Sequence, residues 1–489
     1  MTSERVVVIG AGIAGLATAL ALKDRASEIV LIERDPEPPD LAPEQAFEHW
    51  ARPGVPQFRH AHMFLARLQT TLRDRHPELL AELCAAGLEV SKLDEILPEP
   101  HIGKVTPEPG DADLLHIWGR RPTFEYVVRR YVGRLPRVRF LHSARVEGLH
   151  TESRDGKIVV RGVNVAQGGA RELIQADLVV DASGKRTKSP EWLAALGIKT
   201  DAVSRPSDRV YVCRHYRLRD PKAAPRRAGT GANLDYFGYA TFYAEHGHYA
   251  ITLSCPVEEH EFTELMRDPE GFEAVVDRLP VLSEWASASE VTSKVLGAGR
   301  FENRWTRYRV PGSPELLGFF AVGDSHIETN PIYGRGCAAA FLQAEVLAEA
   351  LAASDEPEKR AERYYARTRE LMQTHFDFCV SGDDMLRSRG KLSRGEPIPF
   401  AHRLLKYGFD EALTPAVEKS PLVAREMIKA MQMREISSAW VRLVMVIHIL
   451  AAWLVGRFRR RSPAALGPAP ERAAFLQDAR SAGGATATP

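Results

Sequence analysis

Cysteine is scarce in this chain: five residues in 489, at positions 84, 213, 255, 337 and 379, with no CxxC pair and no partnered histidine cluster. That scatter excludes a disulfide framework and a zinc site, and it fits free thiols in a reducing, cytoplasmic compartment. An excess of one charge is missing too. Lys and Arg total 65 against 64 Asp and Glu, so no broad nucleic-acid surface is expected. The N-terminus lacks a secretory h-region, because Met1 to Arg5 lead at once into Val6-Val-Val-Ile-Gly10. Long uninterrupted apolar runs are absent as well. The strongest, from Ala439 to Val455, is short and carries Arg442 and His448, so it does not read as a transmembrane span. No internal repeat is visible. At 44% hydrophobic and 26% charged residues, the composition is that of an ordered globular chain with room for two or three domains.

What is present begins at residue 6. Val6-Val-Val-Ile9 reads as a buried strand, Gly10-Ala-Gly12-Ile13-Ala14-Gly15 as a turn, and Leu16 to Leu22 as a helix. This is the order of the dinucleotide fingerprint. Gly10 allows the tight turn, Gly12 lets the backbone approach a diphosphate, and Gly15 lets the helix pack closely on the strand. The helix N-terminus would hold the phosphates through its free N–H groups. A second strand, Glu28 to Glu33, places an acid about twenty residues downstream, where a ribose hydroxyl is expected, with Arg34 beside it. The motif alone does not separate FAD from NAD.

Two later segments repeat the pattern of an apolar strand ending in an acid and a glycine. They are Ala176 to Asp181-Ala-Ser-Gly184, and Leu317 to Gly323-Asp324. The loop Asn330-Pro331-Ile-Tyr-Gly334-Arg-Gly336 follows, and then a long amphipathic stretch to Ala353. With these three motifs, spanning roughly residues 1 to 355, the chain resembles the flavoprotein monooxygenases related to p-hydroxybenzoate hydroxylase and squalene epoxidase. Gly54-Val-Pro-Gln57-Phe-Arg-His60-Ala-His62 and Asn330-Pro-Ile-Tyr-Gly334 look most like the bacterial flavin epoxidases of polyether biosynthesis.

The resemblance implies FAD as cofactor, NAD(P)H or a separate reductase as electron donor, and an apolar small-molecule substrate of secondary metabolism. Oxygen would be transferred through a flavin C4a-hydroperoxide, by epoxidation or hydroxylation, with no protein nucleophile. It also implies that Asp324 accepts from a ribityl hydroxyl, that Pro331 stiffens the loop beside the ring, and that Arg121 approaches the FAD. The Gly334 to Gly336 loop, opening a helix, would face the flavin N1 and C2 carbonyl edge and favour the anionic reduced ring. The chain departs from the family pattern at Arg335, where a glutamine is usual, and at Cys337, where a small polar residue is usual. Arg335 either adds positive charge near the flavin or points to solvent.

The expected architecture is α/β: a Rossmann-like FAD-binding domain with an inserted antiparallel β-sheet substrate domain and a C-terminal helical region. Residues 1–200 form the first part of the FAD domain, including a three-strand meander, and 201–310 the substrate sheet. Residues 311–355 return to the FAD domain, 356–461 are helical, and 462–489 form a flexible tail. Alternation from Asp208 to Cys255 argues for a sheet with one face buried, and Tyr236, Phe237, Tyr239, Phe242 and Tyr243 are candidates to line a substrate pocket, although an aromatic stripe serves equally as core. No catalytic residue is assigned. His60, His62 and His326 are candidates only if a proton must move, and at i and i+2 the first two make a poor metal pair. The lack of a dedicated base favours an alkene over a phenol.

Residues 439–461, with Trp440, Trp453 and the basic cluster up to Arg461, suit either a buried helix or peripheral contact with a membrane. Two other functions compete with oxygenation. One is an FAD-dependent reductase of isoprenoid double bonds; the other is a flavin-binding regulator without turnover. The Trp-x-Trp-x-Ile-Pro signature of flavin halogenases is absent, and no second glycine fingerprint offers a permanent nicotinamide domain.

Overall fold

Strand-forming runs of Val and Ile near the N-terminus assemble with three later strands into one parallel sheet. A computed structural model describes residues 4–225, 231–435, 439–458 and 471–483. The sheet order is Phe319–Ala321, Leu178–Asp181, Glu4–Ile9, Ala26–Ile32, Val138–Leu141. The inner residues of these strands are apolar because both faces are covered, as parallel sheets require. Val6, Val8, Ile29, Leu31, Val180 and Phe320 pack into one core with the helices Ile13–Leu22 and Arg335–Ala353. Val7, Ile9, Val30, Ile32, Val179 and Phe319 pack on the opposite face, beneath the antiparallel meander Ala144–Arg154, Lys157–Gln167, Ala170–Gln175. Its turns fall at Asp155-Gly156 and Gly168-Gly169, all with positive φ.

The chain leaves this domain along Asp201–Pro206 and returns along Glu302–Arg307, two strands paired antiparallel. Between them lies the second sheet, ordered Gly231–Asn233, Gly238–Tyr243, His248–Pro256, Arg209–Leu218, Ser289–Val291. Leu296–Ala298 also pairs with Arg209–Leu218. Helices His260–Arg267, Pro269–Asp277 and Pro280–Ser287 cover one face of it.

Helices follow from Pro357 onward, the longest being Pro357–Ser393. The helix Arg335–Ala353 is long and apolar enough to cross a membrane, yet 67% of its apolar window is buried. It is a core helix, seated against Ile13–Leu22.

The expected flexible tail is corrected in part. Arg472–Gly483 is a helix whose Phe475, Leu476 and Ala479 are buried in the core of the second sheet. Arg472 pairs with the buried Glu259, and Arg278 with Asp478. An Ala-rich sequence hides this, since the helix is stabilised by a partner surface two hundred residues away. Residues 462–470 and 484–489 lie outside the described residues, as do Arg459 to Arg461 and the side chain of Trp440.

Candidate functional site

The three glycine turns meet because each packs on another. Gly10 has φ +97°, and a Cβ there would stand 2.7 Å from the Ala182 carbonyl oxygen, so the first turn lies directly on the second. A Cβ on Gly15 would come within 2.0 Å of the Gly10 carbonyl oxygen, and one on Gly323 within 2.7 Å of the Ala14 side chain. Any side chain at these places would push the turns apart. Gly12 differs: a Cβ there meets nothing within 4 Å. Its space opens into a cavity, and as N-cap it places no side chain over the first N–H groups of the helix. Those donors have no intrahelical partner, so the cradle fits a diphosphate.

The cavity holds about 610 Å³ and runs from this cradle to the second sheet. That lies within the range of small-molecule sites. Gly10, Gly12, Ile13, Ala14, Glu33 and Arg34 line one end; Arg121, Gly184, Gly323 and Asp324 line the middle, with Pro331, Gly334 and Gly336. Of the expected cofactor residues, only Gly15 and Asp181 are not on the wall. Gly15 acts through packing. Asp181 is a correction: it turns away and accepts from the Ser183 amide and from the hydroxyls of Ser183, Thr187 and Ser189. An Asp followed by hydroxyl residues caps its own turn, and that turn presents Ser183, Gly184 and Lys185 to the cavity.

Glu33 sits at the strand end as expected. Its carboxylate accepts from the Ala11 amide at 3.1 Å and from Arg52 at 2.6 Å. Arg52, not singled out from the sequence, also pairs with Asp35 and Glu125 and is itself on the wall. Four lone-pair sites on a carboxylate leave room for a ribose hydroxyl as well.

Asp324 faces the cavity with no hydrogen-bond partner among the described residues. Burial pushes its carboxyl above the usual range, against the pull of Arg121, Lys185 and Arg304. The residue is half-buried and open to the cavity, so a sugar hydroxyl would find a free acceptor there.

Pro331 opens a short turn held by the Asn330 side chain, which accepts from the Ile332 amide. Gly334 then takes the left-handed conformation, φ +64°, and starts the helix Arg335–Ala353. The N-terminus of that helix faces the cavity through Gly334, Gly336 and Cys337. Burial lifts the Cys337 thiol to about 11, so it is a neutral wall atom. Arg335 takes neither expected course. It is 1% exposed, turned from the cavity, lying over the Phe378 ring, 2.9 Å from His375 Nδ1 and donating to the Ala430 carbonyl. It ties the Gly334 loop to two C-terminal helices.

The second sheet presents small residues to the cavity. Gly238, Ala240, Phe242, Thr252, Ser254 and Tyr211 share that face, and all line the wall. The Tyr211 hydroxyl donates to Asn330 Oδ1 at 3.0 Å, joining sheet and loop. Tyr239 and Tyr243 project to the other face, where with Tyr236 and Phe237 they pack among Phe262, Trp285 and Phe475. Tyr239 still reaches the cavity edge. Tyr236, Phe237 and Tyr243 do not, and are core residues.

The histidines divide as well. His60 and His62 are on the wall, but burial lowers both, His62 to about 3 with Arg121 beside it. His326 is off the wall, packed among Trp305, Tyr308, Tyr364 and Tyr365, and burial lowers it to about 4. Burial thus disfavours the charged form of all three. The cavity carboxyl that titrates near neutrality is Glu328, overlooked in the sequence. Burial first, then the neighbouring Asp324, push it up to about 7 against Arg304 and Lys185. Arg304 stands 3.0 Å away and Lys185 3.8 Å.

Comparison with known proteins bears on the family and the fold. Residues 5–103 match the FAD dependent oxidoreductase family. The chain is 28% identical to Protein Rv3254 of Mycobacterium tuberculosis, over 94% of this chain and 97% of that one. In fold it is similar to the flavin-dependent brominase Bmp2, with TM-score 0.59 and 15% identity over 93% of this chain and 99% of that one. It is also similar to PqsL, a probable FAD-dependent monooxygenase from Pseudomonas aeruginosa, with TM-score 0.57 and 18% identity over 79% and 97%. The N-terminal segment thus carries an FAD-dependent oxidoreductase pattern, and most of the chain has a fold shared by flavin monooxygenases and halogenases.

Proposed function

We propose that the protein is an FAD-dependent monooxygenase that transfers one atom of O2 to an apolar small molecule and reduces the other to water. One observation carries this reading: a single cavity joins the diphosphate cradle to the face of the second sheet bearing Gly238, Ala240 and Phe242. A redox cofactor and a substrate can therefore share one enclosure. Bound FAD, once reduced by NAD(P)H or a reductase, supplies the electrons for oxygen activation. The chain's own residues bind and orient. The amides after Gly12 would hold the diphosphate, Glu33 and Asp324 would accept from sugar and ribityl hydroxyls, and the amides after Gly334 would serve the ring. Phe242 and the small residues beside it shape the substrate end and exclude water.

Within this reading we favour an alkene as acceptor, giving an epoxide. Burial lowers both wall histidines, and His62 also has Arg121 beside it, a poor setting for drawing a proton from a phenol. Incubation of FAD-loaded protein with reductant, labelled oxygen gas and panels of alkenes and phenols tests the proposal. Label in the product is the expected result. A product that gains only hydrogen would establish a double-bond reductase instead, halogenated product would establish a halogenase, and the absence of turnover with every acceptor would favour a regulator.

A further inference from the structure

The helices after the cavity expose what the rest of the chain buries. Sixteen large apolar side chains stand exposed among the described residues, and twelve of them fall between Phe400 and Val455. Phe400 is 79% exposed, Leu405 61% and Ile447 55%. On the helix Ala439–Phe458, Met445, Ile449 and Ala452 pack against Leu413, Ala416 and Val423. Leu443, Val446, Ile447, Leu450 and Leu454 recur at helical spacing on the opposite face and remain open. The helix Phe400–Gly408 adds Phe400, Leu404, Leu405 and Tyr407. Trp453 Nε1 donates to the Tyr407 hydroxyl at 3.1 Å, so the two helices are linked.

Charge identifies the covering partner. Neither helix contains an aspartate or glutamate, while Arg403 and Arg442 stand exposed on them. A second copy of this chain seated on the patch by a two-fold axis would set these cations against themselves. A lipid surface rich in anionic headgroups meets both the apolar face and the cationic flank. We propose that the helices Phe400–Gly408 and Ala439–Phe458 form a docking surface that seats the protein on an anionic lipid bilayer.

The surface is fixed to the mouth of the cavity. Leu386 and Asn233 line the cavity. Close to them in sequence, Arg389 pairs with Asp235 and with Asp410, and Lys406 pairs with both acids. Docking would therefore bring the cavity beside the phase in which an apolar substrate dissolves. This last step rests on the proposed function; the docking itself does not.

Co-sedimentation of the FAD-loaded protein with vesicles tests it, scored without turnover. Phosphatidylglycerol–phosphatidylcholine vesicles should carry the protein down, and pure phosphatidylcholine vesicles should carry far less. Leu404→Asp with Leu450→Asp should weaken binding by about 100-fold, since two apolar anchors become charged. Arg403→Glu with Arg442→Glu should weaken it by about 10-fold or more. All four sites are exposed, and flavin content with circular dichroism checks that the variants fold. The proposal is overturned by absence from both pellets, by equal binding to neutral and anionic vesicles, or by a stable dimer that Leu450→Asp dissociates.

Discussion

Gly12→Val and Gly15→Ala look alike in sequence, two losses from one glycine motif, but the structure separates them. At Gly12 the backbone is extended, φ −79° and ψ −169°, and a Cβ meets nothing within 4 Å. Valine there fills space that the diphosphate needs and strains nothing. Pushing the diphosphate off the helix N-terminus forfeits two charge-assisted hydrogen bonds, about 1.5–3 kcal/mol each before partial replacement by water, and about 0.5 kcal/mol of dipole attraction. A net loss of about 4 kcal/mol, or about 10³-fold in FAD affinity, follows. The apoprotein should keep its stability to within about 0.5 kcal/mol, as an unpacked position does. At Gly15 the added Cβ lies 2.0 Å from the Gly10 carbonyl oxygen and 3.4 Å from Val8. Helix and strand must part, at a cost of about 3 kcal/mol or more. The assay is denaturant unfolding of both apoproteins beside flavin titration. Gly12→Val retaining stoichiometric FAD, or unfolding as readily as Gly15→Ala, would refute the cradle.

Two further perturbations address the substrate end and the carboxyl beside it. Phe242→Ala should change KM or product pattern with little loss of stability, whereas Phe237→Ala, wholly buried, should cost about 3–5 kcal/mol; thermal unfolding beside steady-state kinetics distinguishes them. Glu328, raised to about 7 in the fold, is stabilising in its protonated form, so its contribution is complete below the unfolded value near 4.5 and is lost as pH rises through 7. Glu328→Gln should match the parent's stability at pH 4 and exceed it at pH 8, where the parent must carry the disfavoured carboxylate, by up to about 3 kcal/mol, and identical unfolding curves at pH 8 would show that the fold does not raise Glu328.

The geometry of the glycine turn was legible because its chemistry is local. Gly10, Gly12 and Gly15 act within one turn, and the requirement for no side chain is written in the residue type itself. The same holds for Gly334, whose left-handed start of the core helix needs glycine. Asp181 was misread although its signal was present: Ser183, Thr187 and Ser189 follow closely and compete for its oxygens before any cofactor can. Arg335 was illegible. Its partners, His375 and the Ala430 carbonyl, lie 40 and 95 residues along, and nothing near position 335 announces them. Glu328 was overlooked for a related reason. Its raised carboxyl depends on burial and on Asp324, Arg304 and Lys185, which three separate strands and turns deliver.

The substrate sheet shows most sharply what alternation can and cannot determine. Period two sorts Gly238 to Tyr243 into two sets, but it does not say which set faces the cofactor. Aromatic weight suggested both sets alike, Phe242 as well as Tyr239 and Tyr243, and the physics of enclosure separates them. A face covered by three helices must fill its volume, so Tyr239 and Tyr243 join Phe262 and Trp285 at packing density. A face that must leave 610 Å³ open carries glycine, alanine, serine and threonine, with Phe242 as its one large side chain in that strand. Selectivity therefore rests on residues chosen for the space they leave. Enlarging Ala240 or Gly238 should narrow the range of accepted substrates more than trimming any tyrosine of that strand.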